Sequence, residues 1–253
     1  MPAPFRKGKI VRITLRSAGV GLGVGLLLAV LAGSVAGQGD SALLRAFSRF
    51  LGTRDIQFDL VPDLYDGGYA RISIFAKNAN LGGMLVDEVW FKLVGITLDV
   101  RALEQDRIKI LEYRGTAFHG RVSVQRLQEF FLASNAFKDI RLWSDGTSLF
   151  GEGTVPYHGL PIKIWLKGRF SVKGSKEINF HVDNMRINGF PLFSAIIRLM
   201  ESQINPVMSQ KDWPVNFPIR SLQMTTEGFI LSSQADALAP CTICWLDGTT
   251  SKP

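Results

Sequence analysis

Cysteine and histidine are scarce in this sequence: its 253 residues hold two of the first and three of the second. Two cysteines exclude a disulfide-dense scaffold and a four-cysteine zinc site. The three histidines are His119, His158 and His181, and no GxSxG elbow accompanies them, so a serine-hydrolase triad has nothing to build on. HExxH and EF-hand loop patterns are absent too. Each histidine sits in or beside a stretch of strand character, among lysines and aromatics, which suits a surface or structural role. Carboxylates are scattered, mostly at turn positions such as Asp63, Asp66 and Asp145, and the set separation of two carboxylates that a glycosidase requires is a matter of tertiary structure. These shortages lead to the expectation of a non-enzyme with no cofactor and no metal. Charged residues are only 20% of the chain, whereas apolar residues make up 46%, with 17 Phe among them. Such a chain can bury a sizeable core, which excludes wholesale disorder.

The formal charge of +7 invites a nucleic-acid reading, but its placement argues against one. Arg6, Lys7, Lys9, Arg12 and Arg16 supply five of those charges within residues 1–36, where no acid occurs, and leave +2 for the rest. Residues 17–36 then run for 20 positions without a charge. Cations ahead of an apolar run are held on the cytoplasmic side of the membrane, so the chain beyond that run is expected outside the cytoplasm. Two fates stay open. The apolar stretch 26–32 followed by Ser34-Val35-Ala36 has the form of a signal peptide, and the full run is also just long enough to span a bilayer. The long cationic flank and the alternating Gly19, Gly21, Gly23 and Gly25 favour a retained anchor; their GxxxG spacing would let two such helices touch.

After a linker at 37–40, residues 41–51 place Leu43, Leu44, Phe47, Phe50 and Leu51 on one helical face, which would either lie on a membrane or pack on a core. A series of strand patterns comes next. Ile56, Phe58 and Leu60 alternate, then Ile72, Ile74 and Ala76, with loops expected at 63–68 and 78–83. Residues 86–100 shift phase from Val89/Phe91/Leu93 to Val94/Ile96/Leu98/Val100, which predicts a bulge and bend. A further strand is expected at 108–118. Ser123 can cap a helix over 123–134 with Val124, Leu127, Phe130 and Phe131 as its apolar face. Strands near 139–143 and 149–155 precede a long hairpin, 160–173 and 176–187, turned at Gly174-Ser175. Its second arm flips phase from Ile178, Phe180 and Val182 to Met185 and Ile187, another bulge signal. A second interior helix is expected over 191–204, opened by Pro191 and closed by Asn205-Pro206, and two final strands flank Glu227-Gly228. Long antiparallel strands with interspersed helices predict an α+β fold, a long and strongly curved antiparallel sheet wrapped around two or three helices.

The stretches Gly120-Arg121-Val122-Ser123, the hairpin 160–187, Asn188-Gly189-Phe190-Pro191-Leu192, the helix end Ile204-Asn205-Pro206 and Gly228-Phe229-Ile230-Leu231 succeed one another in an order that resembles the LmeA-type phospholipid-binding family of bacterial envelope proteins, related in architecture to tubular lipid-binding (TULIP-like) proteins. The resemblance covers a little over half of the chain, and its motifs are structural, none catalytic. It implies an elongated apolar cavity between a curved sheet and its helices. On that basis residues 1–16 form a cationic cytoplasmic flank, 17–36 the anchor or signal, 41–234 a lipid-binding-like α+β domain, and 235–253 a tail outside the family pattern.

The cavity would be lined by Leu160, Ile162, Ile164, Leu166, Phe170 and Val172 on one arm of the hairpin, Ile178, Phe180 and Val182 on the other, and Phe130, Phe131, Phe193, Ile197 and Met200 on the helices. Lys163, Lys167, Arg169 and Lys173 share the opposite strand face with Trp165. They would attract anionic headgroups, or else form a solvated outer face. In the tail, Cys241-Thr242-Ile243-Cys244 admits a local disulfide, free thiols or redox chemistry; it lacks the thioredoxin-like setting that the last would need. The expected function is non-enzymatic binding or shuttling of a membrane lipid, an anionic phospholipid, outside the cytoplasm, with the membrane held by the N-terminal segment and no nucleic-acid partner. A membrane-anchored accessory envelope protein with a filled core is the alternative.

Overall fold

The structure, a computed structural model, describes residues 38–63, 67–133, 137, 139–157, 160–192 and 194–244. The cationic flank and the 17–36 span lie outside them, and among the described residues no helix is long and apolar enough to cross a membrane. In chain order the first half comprises α1 (Gln38–Leu51), β1 (Ile56–Pro62), β2 (Gly68–Leu81), β3 (Met84–Leu98), α2 (Val100–Glu104), β4 (Ile110–Glu112), β5 (Gly115–Ser123) and α3 (Val124–Ala133). The second half comprises β6 (Asp139–Ser144), β7 (Leu149–Tyr157), β8 (Leu160–Lys173), β9 (Glu177–Ile187), β10 (Phe190–Pro191), α4 (Ser194–Ile204), β11 (Met208–Ser209), β12 (Ser221–Thr225) and β13 (Gly228–Ser232).

The strands form two antiparallel sheets, so the fold is α+β and rich in sheet. The first runs β1-β2-β3-β5-β13-β12, with β4 on the end of β3; the second runs β10-β9-β8-β7-β6, with β11 beside β9. Neither path closes into a barrel among the described residues. A single apolar cluster draws on α1, α3 and both sheets. Aromatic rings join its parts: Phe170 of β8 lies 4.9 Å from Phe229 of β13, and Phe131 of α3 lies 5.4 Å from Phe180 of β9. The segment between α4 and β12 links the sheets. Its buried Gln210 accepts from the Phe217 N–H at 2.9 Å and donates to the Phe217 carbonyl at 2.8 Å, which seats Trp213 and Phe217 against Phe91 and Phe118.

The helix at 41–51 takes the core-packing option. Leu43, Ala46, Phe47 and Leu51 are buried, and Phe47 meets Phe58 of β1 edge to face. Ser123 caps α3 as expected, its Oγ accepting from the Arg126 N–H at 3.3 Å. Several expectations are corrected. The loop expected at 78–83 is a continuation of β2 to Leu81, leaving only Gly82-Gly83 as the turn. Asn78 adopts a left-handed φ of +51° there, and the buried face switches from Ile72/Ile74/Ala76 to Ala79/Leu81 without any slip of register against β3. Arg126 bonds Asn78, Asp87 and Glu129 at that switch, which explains polar residues that read as a loop. In β3 the phase changes at Gly95, φ +57°, with no slip against β2, and the pairing with β4 shifts between Thr97 and Leu98; Val94 is exposed instead of joining the buried set, and Val100, exposed too, opens α2. The strand expected at 108–118 is broken at Tyr113-Arg114 into β4 and β5. A short helix, α2, went unforeseen; the Asp99 carboxylate caps it, accepting from the Ala102 N–H at 3.2 Å. Pro191 belongs to β10, and α4 begins at Ser194.

The hairpin of β8 and β9 forms with a bulge, but its turn takes three residues, Gly174-Ser175-Lys176, so Lys173 pairs with Glu177 rather than with Lys176. Lys167 pairs with Asn184 and Gly168 with Val182, leaving Asp183 as the extra residue. Gly168 is required opposite it, since a Cβ there would come within 2.4 Å of the His181 carbonyl and of the Phe180 ring.

Candidate functional site: the outer face of the second sheet

Alternation along β8 sends Ile164, Leu166 and Phe170 into the core and Lys163, Trp165, Lys167 and Arg169 to the opposite face. The neighbouring strands bring matching residues to that face. Register places Trp143 of β6 opposite Phe150 of β7, and Trp165 of β8 between Glu152 of β7 and Arg186 of β9. Trp143 and Phe150 stack at 5.8 Å with planes 10° apart, and Trp165 lies 6.1 Å beyond Phe150. The turn between β6 and β7 fixes this pairing. The Asp145 carboxylate accepts from the Ser148 N–H at 2.7 Å and the Thr147 N–H at 2.8 Å. Those bonds, with a smaller contribution from the Lys167 charge, hold its carboxyl below the usual carboxylate range.

Cations border the aromatic row. Lys167 lies over the Phe150 ring at 5.3 Å and Arg186 over Trp165 at 5.5 Å. Beside Trp165 is an open groove of about 790 Å³, lined by Arg141, Lys163 and Arg186 together with the carboxylates Asp139 and Glu152. At its rim the β9–β10 turn carries Asn188 and Gly189, both with positive φ; Asn188 accepts from the Lys163 N–H at 3.3 Å and its own N–H donates to the Lys163 carbonyl at 2.9 Å. The next residue, Phe190, is 75% exposed, but it pairs with Ile187, itself opposite Ile164, and so lies on the other face of the sheet from Trp165.

Of the expected headgroup residues, Lys163 lines the groove and Lys167 lies over the Phe150 ring of the aromatic row. Arg169 is committed elsewhere: Asp183, at the bulge, takes two bonds from its guanidinium, each 2.8 Å. Lys173 sits at the far end of the hairpin, paired in register with Glu177. The structure brings in Arg141, Trp143, Phe150 and Arg186, none of which sequence reasoning singled out. The alternation of Arg141 and Trp143 was visible, but their arrival beside Trp165 depends on sheet order.

Among the expected chain-lining residues, Ile164, Leu166, Phe170, Ile178, Phe180 and Phe131 are buried in the common core. Ile162, Val172, Val182, Phe130, Ile197 and Met200 are half-buried. Phe193 and the side chain of Leu160 lie outside what is described. The half-buried set includes the α4 side of β9, where among the described residues the strand edge between β10 and β11 has no strand beside it. Side chains at the end of α4 serve that edge: Asn205 accepts from the Phe180 N–H at 2.7 Å and donates to its carbonyl at 2.8 Å, and Glu201 accepts from the Val182 N–H at 2.6 Å. His181 bonds Ser171 at 2.7 Å on the outer surface, and His158 lies outside the described residues. Comparison with protein-family models, curated proteins and solved structures gives no match.

Proposed function

We propose that the chain is a non-enzymatic lipid-binding protein of the bacterial cell envelope, with its domain outside the cytoplasm and the outer face of the second sheet against anionic phospholipid headgroups. One observation carries this reading: Trp143, Phe150 and Trp165 form an aromatic row bordered by Lys163, Lys167, Arg141 and Arg186. Tryptophan suits the headgroup level of a bilayer, where its ring is half wet, and each cation near an anionic leaflet adds about 1 kcal/mol. The LmeA-type resemblance supports the same reading and extends it to a TULIP-like sheet curved around its helices. An acyl chain would then lie along the α4 side of β9, near Val182, Ile197 and Met200, gaining about 0.8 kcal/mol for each CH₂ buried.

The deciding experiment is co-sedimentation with vesicles of phosphatidylcholine alone or mixed with phosphatidylglycerol. Binding to the anionic vesicles is expected, falling more than tenfold when Lys163 and Arg186 are both replaced by Glu. Equal binding to both vesicles, unchanged in that variant, would overturn the reading. The filled-core accessory protein remains the second reading, favoured by the chain of ring contacts Phe131–Phe180–Phe170–Phe229. Ile164→Trp separates the two: a lumen accepts the ring and loses co-purifying lipid, whereas a packed core is destabilised by about 1–3 kcal/mol.

A further inference from the structure

The outer face of the first sheet carries a different chemistry. Phe118 of β5 points into the core, so His119 points away from it. Register continues from His119 to Trp90 and Phe75 on one side and to Ser232 and Ser221 on the other, a row that crosses five strands. His119 is only 3% exposed although it lies on the side opposite the core. The segment 234–244 passes over this face. The Gln234 side chain accepts from the Thr242 N–H at 3.1 Å and donates to the Pro240 carbonyl at 3.3 Å; Gln223 of β12 accepts from the Leu238 N–H at 2.9 Å. Ala237, within the strap, is buried. The fold of this strap delivers Cys241 and Cys244, joined as a disulfide, to His119. A ring nitrogen of the histidine and the two sulfurs all lie within 4.8 Å of one another.

We propose that His119, Cys241 and Cys244 form a binding site for a thiophilic divalent metal ion, Zn²⁺ by chemistry, that the disulfide closes and reduction opens. Two cysteines separated by two residues are a recurrent zinc-binding pair, and imidazole is the usual third partner. Three protein ligands leave a fourth position open, as in sites that bind water or an exchangeable ligand. The charge also fits a half-buried location: two thiolates and a neutral imidazole around a divalent ion sum to zero, so no net charge is taken out of water. In the reductive step the S–S bond takes two electrons and two protons and becomes two thiols. A dithiol reductant supplies both and closes to its own disulfide. Zinc then displaces the two thiol protons and takes an imidazole nitrogen, which ties the strap to β5 through the metal in place of the sulfur–sulfur bond.

The test uses the full chain, reduced with a dithiol and freed of it under anaerobic conditions, then titrated with Zn²⁺ against a chromophoric chelator and separately with Co²⁺. One zinc per chain is expected for the reduced protein and none at this site for the oxidised one. Cobalt should give thiolate charge-transfer bands together with the visible bands of tetrahedral coordination. Loss of an outer-shell partner alone weakens metal sites about 10–100-fold, so His119→Gln, which removes a ligand, should weaken zinc more than that. The imidazole ¹⁵N resonances of His119 in the reduced wild-type protein should move on adding zinc, a measurement that stands even where His119→Gln fails to fold. Reduced protein that takes no zinc would overturn the site. So would zinc bound by the cysteines with the His119 resonances unmoved, or with equal affinity in a folded His119→Gln.

Discussion

Arg121 lies over Trp90 at 5.6 Å on one sheet, and Arg186 lies over Trp165 at 5.5 Å on the other. The two outer faces thus use the same cross-strand vocabulary: a row of aromatics with a cation above a ring. Their fates differ. Trp90 is 1% exposed and packs 4.9 Å from Phe75, on a face crossed by the 234–244 strap. Trp143 is 36% exposed, and its row faces an open groove. An aromatic row on a sheet is core or interface according to whether another piece of chain crosses it, and a contiguous exposed row is the one that calls for a partner. The difference also separates two kinds of chemistry. The covered face gathers groups suited to holding a metal, and the open face gathers groups suited to a charged, half-wet surface.

The largest effect expected from this contrast is on stability. Trp90→Ala should cost about 3–5 kcal/mol, because it empties a buried site between Phe75 and His119; chemical denaturation measures it. A cost below about 1 kcal/mol would mean that the strap does not seal that face. Trp143→Ala, on the open face, should stay within about 0.5 kcal/mol of the parent. The same variant should nevertheless weaken binding to phosphatidylglycerol-containing vesicles, and a change in stability without a change in binding would reverse the assignment of the two faces.

The smallest effect concerns pH. Asp145 has a depressed folded-state pKa, so the stabilisation of its turn is present above the unfolded value of about 3.9 and is lost as pH falls through the folded value. The near-ultraviolet circular dichroism of the Trp143–Phe150 stack should therefore hold steady down to about pH 4 and fade only below it. Asp145→Ala should lack this acid transition. A transition centred above about pH 4 in the parent would place its origin in another group.

Much of the fold was legible along the chain. The hairpin of β8 and β9, its turn, the bulge in its second arm and the capped helix α3 all arise from local alternation, a phase flip and a capping serine. The errors cluster where a residue leaves the regular backbone while its strand continues. Asn78 and Gly95 each turn left-handed inside a strand, and a polar or glycine residue there reads as a break. Pro191 reads as a helix start, yet its place beside Arg186 in β10 was set by the Asn188-Gly189 turn before it. Of the candidate site, the cations of β8 were legible because they share one strand, although Arg169 proved to be bound to Asp183 and Lys173 remote.

By itself the sequence determined which face of the long hairpin is apolar, roughly where that hairpin turns, that α1 and α3 are amphipathic, and that two cysteines stand close enough to pair. Those are properties of neighbours within a few positions, where a period of 2 or 3.6 residues is enough to assign a side. Only the tertiary structure decided which strands lie side by side. It alone set Trp143, Phe150 and Trp165 in one row, carried a tail far along the chain from His119 across the first sheet, and left the outer face of the second sheet uncovered among the described residues. The physical reason is that sheet order and the path of a covering segment are fixed by how the whole apolar surface is best buried, a sum over distant parts of the chain that no local pattern records.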